Sequence, residues 1–241
     1  MRNYQRHYKL RQRLSNEINI PIFYNETEED NIYIPVDIYN NHQNFSPYKY
    51  PNISNNRRNN SPYMPPNRNQ VSFRCIYEVK DCYNEIQIIN DRILEKIDGM
   101  EHVIQNYEIE SKIRILNGFQ KEELVFKKKF NKPGLNIVDF VIEGQLTDMS
   151  YMFNECRSLK KIEFFNIDTS KVKYMISMFK SCDELEYIDL TNFDTSNVKN
   201  MKNMFYFCSK LKIIKGINNF NTYNAINMCR MFSNCHELEN L

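Results

Sequence analysis

The chain has 241 residues, with 32 Lys and Arg against 30 Asp and Glu for a net charge of +2. That balance gives no whole-molecule field of the kind that draws nucleic acid or an anionic membrane. No run approaches the ~18 consecutive apolar residues of a transmembrane helix, and the opening Met-Arg-Asn-Tyr-Gln-Arg-His-Tyr-Lys has no apolar core for a secretory signal.

Residues 1–70 hold seven of the eight prolines, fifteen asparagines and eight tyrosines, and no glycine. A segment this poor in periodic apolar positions does not bury enough surface to offset its conformational entropy, so a disordered Asn/Tyr/Pro-rich arm is expected. Residues 71–145 change character. Val71–Val79 alternates as a strand, Asp81–Asn84 turns it, and Glu85–Ile89 answers as its partner. A helical piece is expected over Ile93–Gln105. Strands follow over Lys112–Leu116, Glu122–Phe130 and Leu135–Ile142, joined by the Asn117-Gly118 and Pro133-Gly134 turns, where glycine tolerates positive φ. The expectation is a small antiparallel β module that caps what comes next.

Residues 146–241 are built on a repeat. Met-Phe recurs at 152–153, 178–179, 204–205 and 231–232, and Cys156, Cys182, Cys208 and Cys235 keep the same step, as do Leu159, Leu185, Leu211 and Leu238. A fixed period of this length predicts a solenoid of about four coils, the last incomplete, each burying its inner face on its neighbours. Within a coil, Leu185-x-x-Ile188-x-Leu190 reads as a short strand with Tyr187 and Asp189 outward. Val198, Met201, Met204, Phe205 and Cys208 follow the 3.6-residue period of one helical face, with Thr195 or Ser196 placed as an N-cap, like Thr169 or Ser170 and Thr222 in the other coils. Strand, turn and capped short helix, stacked, predict an α/β fold with a parallel sheet.

The pattern Met-Phe-x-x-Cys-x-x-Leu-x-x-Ile-x-Leu-x-x-Phe-Asp-Thr-Ser-x-Val-x-x-Met resembles the BspA-like leucine-rich repeats of bacterial and protist surface proteins over about 146–241. Cys75 to Val79 and Phe126 to Ile137 are similar to the segment that leads into such repeats in protist members. The resemblance implies a right-handed leucine-rich-repeat solenoid with a role in adhesion or protein–protein contact, and carries over no catalytic residue. Two departures stand out: no export signal is visible, and the third coil has an extra residue between Ile214 and Phe220, with Gly216 where Phe164 and Leu190 stand.

No catalytic, cofactor-binding or metal site is expected. The seven cysteines form no Cys-x-x-Cys pair, the four histidines are scattered, and no Gly-rich phosphate loop or Walker lysine occurs. Asp168-Thr169-Ser170 and Asp194-Thr195-Ser196 recur once per coil, which reads as capping rather than nucleophile chemistry. The cysteine ladder reads as buried free thiols in a reducing compartment; Cys75 and Cys82 would pair across their hairpin if the protein were extracellular.

A protein partner is therefore expected on the concave face, at the outward strand positions Lys161, Glu163, Tyr187, Asp189, Ile213 and Lys215. Three functions fit: a cytoplasmic protein-interaction module, a surface adhesin exported by an unrecognised route, and the substrate-recognition subunit of an enzyme complex. With Leu238 and Leu241 left to stack at the end of the last coil, end-to-end self-association through that coil is a further expectation.

Overall fold

The computed structural model describes residues 70–97 and 100–239. The arm expected over 1–70 lies outside these apart from Gln70, and so does Leu241. Eleven strands occur in order: β1 (Phe73–Val79), β2 (Ile86–Gln87), β3 (Arg92–Ile97), β4 (Met100–Gln105), β5 (Ile113–Asn117), β6 (Gln120–Glu122), β7 (Lys127–Lys128), β8 (Gly134–Ile142), β9 (Leu159–Phe164), β10 (Tyr187–Asp189) and β11 (Ile213–Lys215). A single short helix, α1 (Tyr107–Lys112), and a 3-10 turn at Ile217–Asn219 complete the described elements.

This is not the expected α/β leucine-rich-repeat solenoid. The described residues are mostly β and most pairings are antiparallel, including the main five-stranded sheet in the order β6-β5-β8-β1-β9. A parallel sheet through all coils is absent among the described residues. Parallel pairing of the consensus strands is confined to β10 and β11; β9 pairs through one edge with β1 in antiparallel register, with Phe73 opposite Phe164 and Cys75 opposite Ile162, and forms no ladder with β10. The repeats contain no α-helix among the described residues, so Thr169, Ser170, Thr195, Ser196 and Thr222 cap none.

The backbone hydrogen bonds explain what replaces the helix. In the first three repeats alternate N–H groups leave the coil. Those of Met149, Tyr151, Phe153 and Glu155 donate to the carbonyls of Tyr174, Ile176, Met178 and Lys180 in the next repeat. Met175, Ser177, Phe179 and Ser181 do the same to the third repeat, and Met201, Asn203, Phe205 and Phe207 to the fourth, all at 2.8–3.0 Å. The intervening N–H groups close tight turns, such as Asn154 to Tyr151 and Cys156 to Phe153. An α-helix keeps its N–H groups for its own carbonyls four residues back; here half are spent between repeats.

Turning every second N–H outward requires left-handed backbone twice per coil. Tyr151 and Glu155 (φ 68° and 60°), Ser177 and Ser181, Asn203 and Phe207, and Arg230 and Asn234 all have positive φ. Each such non-glycine residue costs about 1–2 kcal/mol, while four ladder bonds return about 0.5–1.5 kcal/mol each. The backbone alone nearly breaks even, and side-chain burial decides. Phe153, Phe179, Phe205 and Phe232 stack with centroids 5.3–5.7 Å apart and planes within 9°. The thiols of Cys182, Cys208 and Cys235 donate to the carbonyls of Phe153, Phe179 and Phe205 in the preceding repeat, at 2.9–3.1 Å. The Asp-Thr-Ser triplets act within and between coils: Asp194 Oδ1 accepts from the Ser196 N–H of its own triplet, while Thr169 Oγ1 both donates to the Asp194 carbonyl of the next coil and accepts from its N–H.

The first repeat presents the opposite chemistry on its outer side: the carbonyls of Asp148, Ser150, Met152 and Asn154, with no earlier repeat to donate to them. Two asparagines supply the need. Asn106 Nδ2 donates to Asp148 and Ser150, and Asn90 donates to Met152 through its backbone and to Asn154 through Nδ2. Asn106 also caps α1, its Oδ1 accepting from the Glu108 N–H, and Glu108 in turn accepts from the N–H and hydroxyl of Thr147.

The segment before the repeats also departs from expectation. Ile86–Gln87 pairs with β7, not with β1, whose neighbours are β8 and β9, so no hairpin joins Cys75 to Cys82. The helix expected over Ile93–Gln105 is the antiparallel pair β3–β4, with Ile97 opposite Met100. One apolar core runs from Phe73, Phe140 and Ile113 into the repeats, and Phe73 meets Phe153 edge-on at 5.7 Å.

Two substitutions test this architecture. Glu155→Gly raises stability by roughly 0.5–1 kcal/mol and Glu155→Val lowers it by about 1–2 kcal/mol, because only glycine is at ease with positive φ. In a helix the glycine variant would instead lose about 1 kcal/mol, and urea unfolding of the three proteins separates the cases. Asn106→Ala costs about 2–4 kcal/mol, from the lost cap and two carbonyls left without donors. Asn106→Asp does not rescue it in the same assay, since a carboxylate restores the cap but cannot donate.

Candidate interaction surface

The six outward positions fall on one side of adjacent strands, in two groups. In the β10–β11 pair, Tyr187 lies opposite Ile213 and Asp189 opposite Lys215, and the second pair is joined by an ion pair of 2.8 Å. On β9, Lys161 and Glu163 are two residues apart and salt-bridged at 2.7 Å. β9 packs beside β10 without forming a ladder with it. The register is nonetheless held, since Lys160 reaches Glu186, 26 residues on, at 2.7 Å.

The antiparallel sheet extends this surface in a direction the repeat pattern does not reveal. Ile76 of β1 lies opposite Lys161 and Ile137, and Arg74 lies opposite Glu163 and Asp139. Arg74 grips Asp139 through two hydrogen bonds of 2.6 and 2.9 Å. On this side Ile137, the stem of Lys161, Tyr187 and Ile213 are partly exposed, with Ile76 buried between the first two, beside a charged row that is paired within itself. Arg74, Ile76 and Ile137 were missed because they enter through pairings between segments far apart in sequence. The alternation of Arg74, Ile76 and Glu78 against Phe73, Cys75 and Tyr77 does mark the outer side of β1.

Electrostatics on this surface favour fixed pairs over reactive groups. Burial pushes the Asp189 carboxyl up, but hydrogen bonds from Lys215 and Thr191 outweigh it and hold the group below its ordinary value. Burial raises the Tyr187 hydroxyl, helped by the Asp189 charge. Beneath the surface, burial keeps the thiols of Cys156, Cys182 and Cys208 well above the range of a reactive cysteine, and that of Cys235 is pushed up to about 12. Among the described residues no three His, Cys, Asp or Glu side chains are grouped to hold a metal ion, and no helix is long and apolar enough to cross a membrane.

At one edge, Glu184 accepts from Lys210 at 2.6 Å and from Lys80 at 3.0 Å. The Lys210 hydrogen bond holds this largely buried carboxyl below its ordinary pKa against the upward push of burial, and Lys80 adds to it. A depressed folded-state pKa contributes stability that is full above the unfolded value, about 4.3. That stability is lost as the pH falls through the folded value. Glu184→Gln is therefore less stable than the parent at pH 7, and the gap in thermal midpoint closes as the pH is taken from 5 towards 3. A gap that stays constant over that range would rule out the ionic contribution.

Residues 123–241, just under half of the chain, match the family described as "Mycoplasma protein of unknown function, DUF285". No curated protein and no solved structure matches the chain. The family match covers β7, β8 and all four repeats, and its description assigns them no activity.

Proposed function

We propose that this protein is a non-enzymatic interaction module that binds a protein partner through the outer face of the strands β8, β1, β9, β10 and β11. The observation that carries this reading is the set of partly exposed apolar side chains on this face. Tyr187 and Ile213 stay partly exposed side by side, and Ile137 is 36% exposed, although stacking leaves these positions free to be polar. Tyrosine beside an aliphatic residue on a rigid sheet is a common form of interface anchor. The overlap of the family match with the BspA-like resemblance supports treating the repeats as one recurring unit, and adhesion or protein contact is what that resemblance implies. The thiols of Cys182, Cys208 and Cys235 each serve as a hydrogen-bond donor, a use open only to a reduced cysteine, which favours a reducing compartment such as the cytoplasm.

End-to-end pairing through the last coil is left out of this proposal for a chemical reason. Among the described residues Met228, Phe232 and Asn234, at the ladder positions of the fourth repeat, donate to no backbone carbonyl. Two such edges related by a two-fold axis would set donors against donors.

The test is site-specific photo-crosslinking of the full chain in cells, with the reactive side chain placed at 187, at 213, or at the fully solvated Tyr223 (91% exposed). The proposal expects one protein to be crosslinked at 187 and 213 and absent at 223. Adducts that are the same at all three positions, or none at 187 and 213, would sink it.

A further inference from the structure

The β3–β4 pair lies along the stack of repeats, fastened at one end. Its root is at the first repeat, where Asn90 and Asn106 donate to the outer carbonyls and Asn154 Nδ2 donates to the Arg92 carbonyl. Asp91 is fully buried there and accepts from both Arg92 and Gln105, tying the two strands together. Three residues further on, Glu95 reaches Lys202 in the third repeat. Three residues of extended chain cover about 10 Å, which matches two strand spacings of about 4.8 Å. β3 therefore crosses the first three coils at right angles to them.

The flank that it crosses is a poor fit to it. Tyr151, Ser177 and Asn203 hold the same place in these three coils, each at positive φ. Burial, and then the Glu95 charge, push the Tyr151 hydroxyl up to about 12, and Lys202 stands next to Asn203. Ser177 lies between these two points of contact. It is fully buried, and its Oγ has no hydrogen-bond partner; nor has the Oδ1 of Asn203 or of Asn154. A buried polar atom left without a partner bears the full cost of leaving water.

Little else holds the pair down. Leu94 lies opposite Val103, and these apolar side chains are 67% and 58% exposed, while Ile93 and Ile104 on the other side are only half-buried. No third strand extends the pair, and a two-stranded hairpin is marginal alone. Beyond the root its ion pair to the repeats is Glu95–Lys202, at 3.4 Å with both side chains 38% exposed. Such a pair is a weak latch.

We infer that β3–β4 is a hinged strap, which lifts from the repeats as a unit about its root at Asn90, Asp91 and Asn106 while the five-stranded sheet and the coils stay folded. Lifting brings water to Asn154, Ser177 and Asn203 and bares the flank of the first three repeats, so the strap sets access to that flank. Few apolar contacts and an exposed latch are the marks of a unit that opens locally. The inference uses no residue of the proposed binding face and stands apart from it.

Amide hydrogen exchange of the full chain, read by mass spectrometry, tests it. The paired amides of β3 and β4 exchange roughly tenfold or more faster than those of β1 and β8. Ser177→Ala slows β3 and β4 by about fivefold or more, because it removes a group that is satisfied only in the open form. Lys202→Ala, which frees the latch, quickens them by about twofold. Neither substitution alters exchange in β1 or β8. Where Ser177→Ala does not fold, Asn203→Gly gives the same reading, since it removes a second partnerless atom and suits positive φ. Protection of β3 and β4 equal to that of β1 and β8 overturns the inference. So does a strap that exchanges as fast as the parent's, or faster, once the partnerless atom is removed.

Discussion

Every other feature of the repeats depends on one constraint: the peptide groups of the turn ladder all point the same way. The group joining Lys180 to Ser181 accepts from Glu155 in the repeat before and donates to Tyr206 in the repeat after. Its neighbours along the coil, at two-residue steps, behave alike. Such chains of aligned amides hold only if successive coils are in strict register, which is why equivalent positions recur at a fixed step. The third coil shows how an irregularity is tolerated. Its extra residue is taken up in the 3-10 turn Ile217–Asn219, away from the ladder. Gly216 enters that turn at φ 85°, where a β-carbon would stand 2.4 Å from the Thr191 nitrogen. The absence of a side chain is what lets the turn tuck against the preceding coil.

A ladder with aligned amides has two unlike ends, and the carbonyl end dictates what the segment before the repeats must do. It has to bring donors to four carbonyls in a row and an apolar surface to the first phenylalanine of the stack. Asn90 and Asn106 are the donors, and Phe73 is the surface. Neither asparagine is placed by its own neighbours in sequence. Asn90 precedes β3, Asn106 begins α1, and the β3–β4 pair lies between them, with Glu95 reaching as far as Lys202 at 3.4 Å. The antiparallel sheet, the short helix and the hairpin are parts of one adaptor that converts the polar edge of a turn stack into a satisfied interior.

The repeat and its buried positions were legible in the sequence, because a side chain that must stack on its own equivalent leaves a periodic mark. The local conformation was not. Val198, Met201, Met204, Phe205 and Cys208 fit a helical face, yet the same three- and four-residue spacing arises from successive tight turns, each reset by a left-handed residue such as Asn203 or Phe207. Nothing about a phenylalanine announces positive φ. The Ile93–Gln105 error is different, since a signal was present. Asp98-Gly99 is a favoured two-residue hairpin sequence, and the apolar spacing around it was read as helical instead. The pairing of β1 with β9 was beyond reach for a third reason. Two compatible strands with Val79 ending one and Leu159 beginning the other carry no local sign that they meet. That pairing is also what sets Arg74, Ile76 and Ile137 beside Lys161 and Glu163, positions that the repeat pattern alone does not join.

Strict register also has a consequence for charge. Stacking sets each side chain beside its counterpart one coil on, and like charges so placed repel. At four places the coils set opposite signs together: Arg157 faces Asp183, Lys160 faces Glu186, Glu184 faces Lys210 and Asp189 faces Lys215, each pair within 2.8 Å. These pairs help to hold the coils in line, so the side chains reinforce the register that the backbone ladder requires.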